Sequence, residues 1–162
     1  MIHWDKNGLP FEVRPYREED LSPLLTMYER FNPKGRFQGV PPKDPAACRD
    51  WACGLVDAGV NILALRRKTV IGHVVIIPDP EGDQAEYLIF VEQSNRNRGV
   101  GTRLTQTALE DAGCRGLKRL WLSVGTYNFP AIALYLKAGF RFTDAGRFES
   151  ERTMELIIGA AS

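Results

Sequence analysis

The chain has 162 residues, of which 44% are hydrophobic and 25% charged, and its formal net charge is +1. This length predicts one globular domain over residues 1–162, which buries roughly two thirds of the surface that the unfolded chain exposes. A net charge near zero gives no bulk attraction to nucleic acid or to an anionic membrane, and no apolar run approaches the ~18 residues of a membrane span. We therefore expect a cytoplasmic protein that binds neither nucleic acid nor a membrane. In that compartment its three cysteines are expected to be reduced.

The hydrophobic pattern predicts a mixed α/β fold. Alternating or β-branched apolar runs are typical of strands, whereas apolar residues three or four positions apart are typical of helices. Proline and glycine mark the turns between these segments. In chain order the predicted elements are a strand at 11–15, helices at 18–31 and 44–58, strands at 61–66, 69–77 and 84–91, a helix after the glycines at 99 and 101, a strand at 119–124, a helix at 128–138, and strands at 140–143 and 153–158.

The most informative segment follows the strand predicted to end at Val91. A short polar loop comes next, and Arg96-x-x-Gly99-x-Gly101 opens a predicted helix. The first turn of a helix presents free N–H groups and the positive end of the helix dipole. Glycines let a ligand approach the backbone, and arginines suit a polyphosphate. The segment therefore predicts a phosphate site.

Two common phosphate motifs do not match this loop. A Walker A loop requires a lysine after its last glycine, but Gly101 is followed by Thr102 and Arg103. A dinucleotide fingerprint requires a third small residue where Leu104 stands, and it belongs at the start of the chain. Nucleoside triphosphates and dinucleotides are thus disfavoured. The alternative to a phosphate site is that the glycines only begin a helix and bind no ligand.

A second motif lies downstream, and together the two resemble the GNAT superfamily of acyl-CoA-dependent N-acyltransferases. The glycine loop stands between the fourth predicted strand and the third predicted helix, as in that family. The second motif is Asn128-x-x-Ala131-x-x-Leu134-Tyr135, followed by Gly139-Phe140. The resemblance covers residues 11–158 and is specific from about 84 to 142.

One residue departs from the family pattern. Many relatives have glycine where this chain has Asn97, between the two arginines. Asparagine adopts positive φ more readily than most residues, so we expect the loop to keep its shape.

The resemblance implies a fold and a donor. The fold is a single domain with a mixed central sheet flanked by helices, in which the fourth and fifth predicted strands splay apart. The donor is acetyl-CoA, and coenzyme A is the product. Its pyrophosphate would meet backbone N–H groups of residues 98–102, helped by Arg96 or Arg98, and its pantetheine arm would lie along the fourth strand. The implied binding residues are Ile89, Phe90, Val91, Arg96, Asn97, Arg98, Gly99, Val100, Gly101, Thr102 and Asn128.

Acetyl transfer to an amine requires a base, because a lysine-like amine has a pKa near 10.4 and is protonated at neutral pH. Glu86 is the candidate, on one strand face with Leu88 and Phe90. Ala85-Glu86-Tyr87 also resembles bacterial protein-lysine acetyltransferases of the GNAT type, in which a glutamate here acts as base. The alternative is that Glu86 is simply exposed, and His73 is a reserve candidate.

Two further groups complete the implied mechanism. Tyr135 stands where many family members place a tyrosine that protonates the departing sulfur, although it could instead pack in the core. A backbone N–H near Phe90 or Val91 would stabilise the oxyanion of the tetrahedral intermediate. The family transfers the acyl group directly within a ternary complex, so Cys114 and Ser123 are expected to be structural.

The acceptor is open at this stage. In the family it is set by the segments corresponding to 32–43 and 143–152, which mix basic with acidic residues and select no substrate by charge: Lys34, Arg36, Arg147, Asp144, Glu149 and Glu151. A protein lysine is the first hypothesis; a small-molecule amine, an amino acid or an N-terminal amine is the alternative. A CoA-binding sensor without catalysis is a further possibility. No metal site is predicted, since His3 and His73 lie far apart, and a monomer and a homodimer both remain open.

Overall fold

The computed structural model describes residues 1–35, 40–143 and 149–159. Within these ranges the chain forms eight strands and four α-helices. The strands are β1 (Ile2–Trp4), β2 (Pro10–Pro15), β3 (Val60–Arg66), β4 (Thr69–Pro78), β5 (Gln84–Val91), β6 (Arg119–Gly125), β7 (Arg141–Phe142) and β8 (Glu151–Ile157). The helices are α1 (Leu21–Arg30), α2 (Pro45–Ala58), α3 (Val100–Cys114) and α4 (Phe129–Ala138).

Most predicted elements are confirmed, and the N-terminal strand β1 is the main omission. β1 pairs antiparallel with β2 at the edge of the sheet. It is only three residues long, and Ile2 and Trp4 are 58% and 69% exposed, so it lacks the buried apolar face that marks a strand in a sequence. The last strand begins at Glu151, two residues before the predicted start.

The strands form one mixed sheet in the order β1-β2-β3-β4-β5-β6-β8-β7. All neighbours are antiparallel except β5 and β6, which run parallel. These two strands pair at only three positions, Gln84–Arg119, Ala85–Leu120 and Glu86–Trp121. Beyond them β5 and β6 separate, which confirms the expected splay. We refer to the space between residues 87–91 of β5 and 122–125 of β6 as the gap.

Helices cover both faces of the sheet, and residue alternation along β5 assigns its side chains to them. Ala85 and Tyr87 pack in the core beneath α3 and α4, together with Leu104 and Ala108 of α3. Phe90 packs in the second core, beneath α1 and α2. Glu86 shares the α1/α2 face with Phe90 by the same alternation.

The ends of α2 and α4 follow from their capping residues. The Asp44 side chain accepts a hydrogen bond from the Ala47 N–H at 2.9 Å, and Pro45 occupies the first turn. After α4 the chain turns at Gly139, whose φ of 113° lies in the left-handed region. At its other end α4 begins after Asn128, whose side chain accepts from the Ala131 N–H, so the helix is capped at both ends.

Candidate active site

The N-terminus of α3 is open and carries no side-chain cap. Asn97 and Gly99 have φ values of 60° and 93°, so the expectation that Asn97 tolerates positive φ is confirmed. The Arg103 N–H donates to the Gly99 carbonyl at 3.1 Å, so the N–H groups of residues 100–102 precede the first helical bond. A Cβ atom at Gly99 would meet nothing within 4 Å. This open, positively polarised end fits the phosphates of coenzyme A.

Gly101 has a second role in packing. A Cβ atom there would lie 3.3 Å from Leu134 Cδ2 and 3.5 Å from Val91 Cγ2. The absence of a side chain therefore relieves crowding against Leu134 of α4, whereas the contact with Val91 would have an ordinary length. The neighbouring Val100 is completely buried, so its side chain is not available to a ligand.

Both arginines of the loop already have protein partners. Arg96 donates from Nε to the Val91 carbonyl at 2.9 Å and from Nη2 to the Asn32 carbonyl at 2.6 Å. Its guanidinium lies 5.1 Å from the ring centroid of Phe31. Arg98 lies 3.8 Å from the carboxylate of Asp5, at the turn after β1. Arg96 is therefore directed towards the start of the α1–α2 segment.

Backbone groups on the β6 side of β5 face the gap. The Glu92 N–H donates to the Ile71 carbonyl at 2.9 Å, towards β4. Because backbone groups alternate in direction along an antiparallel strand, the N–H groups of Ile89 and Val91 point to the opposite side and that of Phe90 points to β4. Of the two expected oxyanion donors, the geometry favours Val91.

Glu86 is half-buried where the paired part of β5 and β6 ends. Its neighbours across the sheet are Ile77 and Trp121. Burial raises the pKa of its carboxyl group, and the nearby Asp79 carboxylate raises it further. Trp121 donates from Nε1 to both Asp79 carboxylate oxygens at 3.3 Å. Neither Asp79 nor Trp121 is predicted as a neighbour of Glu86, because local sequence patterns do not bring the turn after β4 beside β6.

His73 is fully buried in a hydrogen-bonded chain. Its Nδ1 lies 2.7 Å from the Tyr28 hydroxyl, and its Nε2 lies 2.7 Å from Asn61 Oδ1. Asn61 donates from Nδ2 to carbonyls at the end of α2, so its Oδ1 accepts from His73 and Tyr28 donates to Nδ1. Burial lowers the pKa of His73 to about 3. Neither ring nitrogen is left for a substrate amine, which removes His73 as the reserve base.

Tyr135 lies on α4, on the opposite sheet face from Glu86. Its ring packs edge-on against two aromatic rings, with a centroid distance of 6.3 Å to Tyr87 and of 5.8 Å to Phe140. Burial raises the pKa of its phenol to about 12, so the hydroxyl stays protonated at neutral pH. Within the described parts of the chain this hydroxyl makes no hydrogen bond to protein. Glu86 and Tyr135 thus lie on opposite faces of the sheet, and the gap is an opening in the sheet between β5 and β6.

Asn128 caps α4 at the far end of the gap. Its Oδ1 accepts from the Ala131 N–H at 3.4 Å, and the residue is exposed. The cap uses the side-chain oxygen and leaves the amide nitrogen for another partner. Nearby, Ser123 donates to the Glu151 carboxylate at 3.3 Å, a structural contact.

Several expectations concern features outside the site. Among the described residues, no group of histidine, cysteine, aspartate and glutamate could hold a metal ion. None of the helices in that part of the chain is both long and apolar enough to cross a bilayer. The charged residues Arg36, Asp144 and Arg147, which the family resemblance places on the acceptor side, lie outside the described residues.

A sheet with two splayed strands beside an open helix N-terminus defines a class of protein, and comparison with known proteins identifies that class. Residues 23–140 match the model of the acetyltransferase (GNAT) family. The chain belongs to this family.

Individual relatives agree with this assignment. An IAA acetyltransferase of Azospirillum brasilense is 38% identical over 88 residues, which cover 54% of this chain and 56% of that protein. The chain spans about half or less of the length of the curated relatives it matches. The GNAT domain of S. lividans PAT shares the fold with a TM-score of 0.77, 19% identity, and coverage of 97% of this chain and 96% of that one. The structure of yncA from Salmonella typhimurium, solved with its cofactor acetyl-CoA, gives a TM-score of 0.71, 15% identity, and coverage of 94% and 96%.

Proposed function

We propose that the protein transfers an acetyl group from acetyl-CoA to a primary amine by direct attack in a ternary complex. The observation that carries this proposal is the gap between β5 and β6, which opens beside the uncapped N-terminus of α3. An extended amide-containing arm fits along an unpaired strand edge, and a pyrophosphate fits a helix N-terminus. Acetyl-CoA has both parts and supplies an activated acyl thioester.

The proposed binding residues contribute mainly through their backbone. The N–H groups of residues 98–102 would hold the pyrophosphate, because they precede the first helical bond. The edge of residues 89–91 would hold the pantetheine arm. The Val91 N–H points into the gap, where it can stabilise negative charge on an acyl oxygen. Asn128 would contact the same arm from the start of α4.

Glu86 is proposed to remove a proton from the incoming ammonium, directly or through water. Its raised pKa brings the carboxylate closer to the working pH, which suits a general base. Asp79, beside it, adds negative charge that attracts a protonated amine to this face. Tyr135, on the other face, is proposed to donate its phenolic proton to the departing sulfur.

The acceptor is proposed to be a protein lysine, with a small amine or amino acid as the second candidate. Glu86 between Ala85 and Tyr87 supports the first, through its likeness to protein-lysine acetyltransferases. The likeness to an IAA acetyltransferase supports the second, since that designation specifies no protein substrate. A panel of lysine peptides, polyamines and amino acids, assayed for release of free coenzyme A, would separate the two.

Two substitutions test the catalytic assignments. We expect Glu86→Gln to lower kcat/KM about 10²- to 10⁴-fold, the range typical of a general base. We expect Tyr135→Phe to lower kcat about tenfold or more, since the ring still packs while the donor is lost. Both variants should bind acetyl-CoA with the Kd of the wild type, measured by calorimetry. Binding without turnover in the wild type would instead identify a CoA-binding sensor, and unchanged turnover in both variants would refute the two roles.

A further inference from the structure

The loop after β5 is fastened to the end of α1 by two side chains. Gln93 accepts from the Asn32 N–H at 2.9 Å and donates to the Arg30 carbonyl at 2.7 Å. Arg96 donates to the Asn32 carbonyl at 2.6 Å and stacks over Phe31 at 5.1 Å. We call these contacts of Gln93 and Arg96 with residues 30–32 the clasp.

The clasp connects the two faces of the sheet. The α3 N-terminus, which follows Arg96 directly, belongs to the face covered by α3 and α4. On the other face, covered by α1 and α2, the ring of Phe31 packs against that of Phe90 with a centroid distance of 6.0 Å. Glu86 lies on the same face. Arg96 bonds in addition to the Val91 carbonyl at the end of β5. One guanidinium therefore joins the proposed phosphate loop, the end of the gap and the segment that borders the Glu86 face.

We propose that Arg96 and Gln93 are positioning residues, which couple occupancy of the α3 N-terminus to the shape of the acceptor side. This inference rests on the proposed function. A planar guanidinium held at Val91 and Asn32 has fixed geometry, so a shift of residues 96–99 moves the start of the α1–α2 segment with it. The motif arginine then acts on the acceptor rather than on the pyrophosphate.

Steady-state kinetics and binding distinguish the two roles of Arg96. We expect Arg96→Gln to raise KM for the best amine acceptor about fivefold or more, the usual scale of coupling between sites. The Kd for acetyl-CoA should change less than about twofold, since no phosphate contact is lost. Gln93→Ala should act in the same direction. Arg98→Gln removes the same charge from the loop without touching the clasp, and should weaken acetyl-CoA binding while leaving acceptor KM unchanged.

Hydrogen exchange gives a readout that does not depend on turnover. The Asn32 N–H donates to Gln93, so its exchange should be slow in the wild type and fast in Gln93→Ala. Saturating acetyl-CoA should slow it further in the wild type but not in Arg96→Gln.

The outcomes separate the coupling from the proposed function. If the wild type binds acetyl-CoA but acetylates no amine, the proposed function fails, and exchange at Asn32 still decides the coupling. If Arg96→Gln weakens acetyl-CoA binding and leaves acceptor KM unchanged, Arg96 is a phosphate ligand and the coupling is wrong. Exchange at Asn32 that ignores acetyl-CoA in the wild type also overturns it.

Discussion

Two glycines near the end of α2 differ in what a methyl group would meet. A Cβ atom at Gly59 would lie 2.1 Å from the Ile76 carbonyl oxygen, which belongs to the backbone of β4 and cannot rotate away. A Cβ atom at Gly54, inside α2, would meet nothing within 4 Å. Gly59 is therefore required for the close approach of the turn between α2 and β3 to the backbone of β4, whereas Gly54 is not.

The two positions predict opposite effects of alanine. We expect Gly59→Ala to lower the free energy of unfolding by about 3 kcal/mol, at the upper end of overpacking costs. We expect Gly54→Ala to raise it by about 0.5–1 kcal/mol, because alanine restricts the unfolded chain and favours helix. Urea titration of both variants measures the difference. A Gly59→Ala variant as stable as the wild type would contradict the close approach.

The raised pKa of Glu86 predicts the acid limb of the rate profile. Only the carboxylate can accept a proton, so kcat/KM should rise with pH through a pKa above the ordinary glutamate value. Tyr135, with a pKa of about 12, should produce no falling limb below pH 10. Rates from pH 4 to 10 test both statements. An acid limb that persists unchanged in Glu86→Gln would assign it to another group.

At the scale of elements, a series of buried polar side chains links α1 and α2 to the central strands by hydrogen bonds. Tyr28 of α1, His73 of β4 and Asn61 of β3 are linked in series, and Asn61 continues to the carbonyls of Val56 and Gly59. All three side chains are buried, so each hydrogen bond replaces one to water. The hydrogen bonds suit neutral His73, because a second ring proton, on Nδ1, would leave the Tyr28 hydroxyl proton without its acceptor, and burial disfavours the charged ring.

This preference for neutral His73 makes stability depend on pH. The pKa of His73 is about 3 in the fold and 6.5 when unfolded, so below pH 6.5 the unfolded state takes up a proton that the fold excludes. We expect the free energy of unfolding to fall by about 2 kcal/mol between pH 7.5 and 5. Denaturant titrations across this range measure the slope.

The chain's other histidine supplies the control. His73→Gln keeps a polar side chain but does not titrate, so its slope should be nearly flat. His3→Gln should keep most of the slope, since His3 lies on the partly exposed strand β1. A wild-type slope that survives in His73→Gln would show that another group excludes the proton.

For the whole molecule, local patterns predicted the elements better than their arrangement. β5 was predicted with the bounds it has, because its apolar run ends at a polar loop. The insertion of β8 between β6 and β7 depends on pairing across the chain, which no local period encodes. The same limit applies within the site. The loop glycines were predicted from the motif, but the direction of Arg96 towards Asn32 follows only from packing.

Three residue pairs at the base of β5 and β6 join a five-stranded half of the sheet to a three-stranded half. Within the sheet the two halves pair with each other at these three positions alone, and a donor lying in the gap would bridge their unpaired edges. Acetyl-CoA at 100 times its Kd should then raise the free energy of unfolding by about 2.7 kcal/mol. Slower amide exchange along residues 122–125 should accompany this gain, equally in Glu86→Gln. Acetyl-pantetheine, which lacks the pyrophosphate, should protect the same amides only at higher concentration. The melting temperature of this protein would thus report how much acetyl-CoA surrounds it.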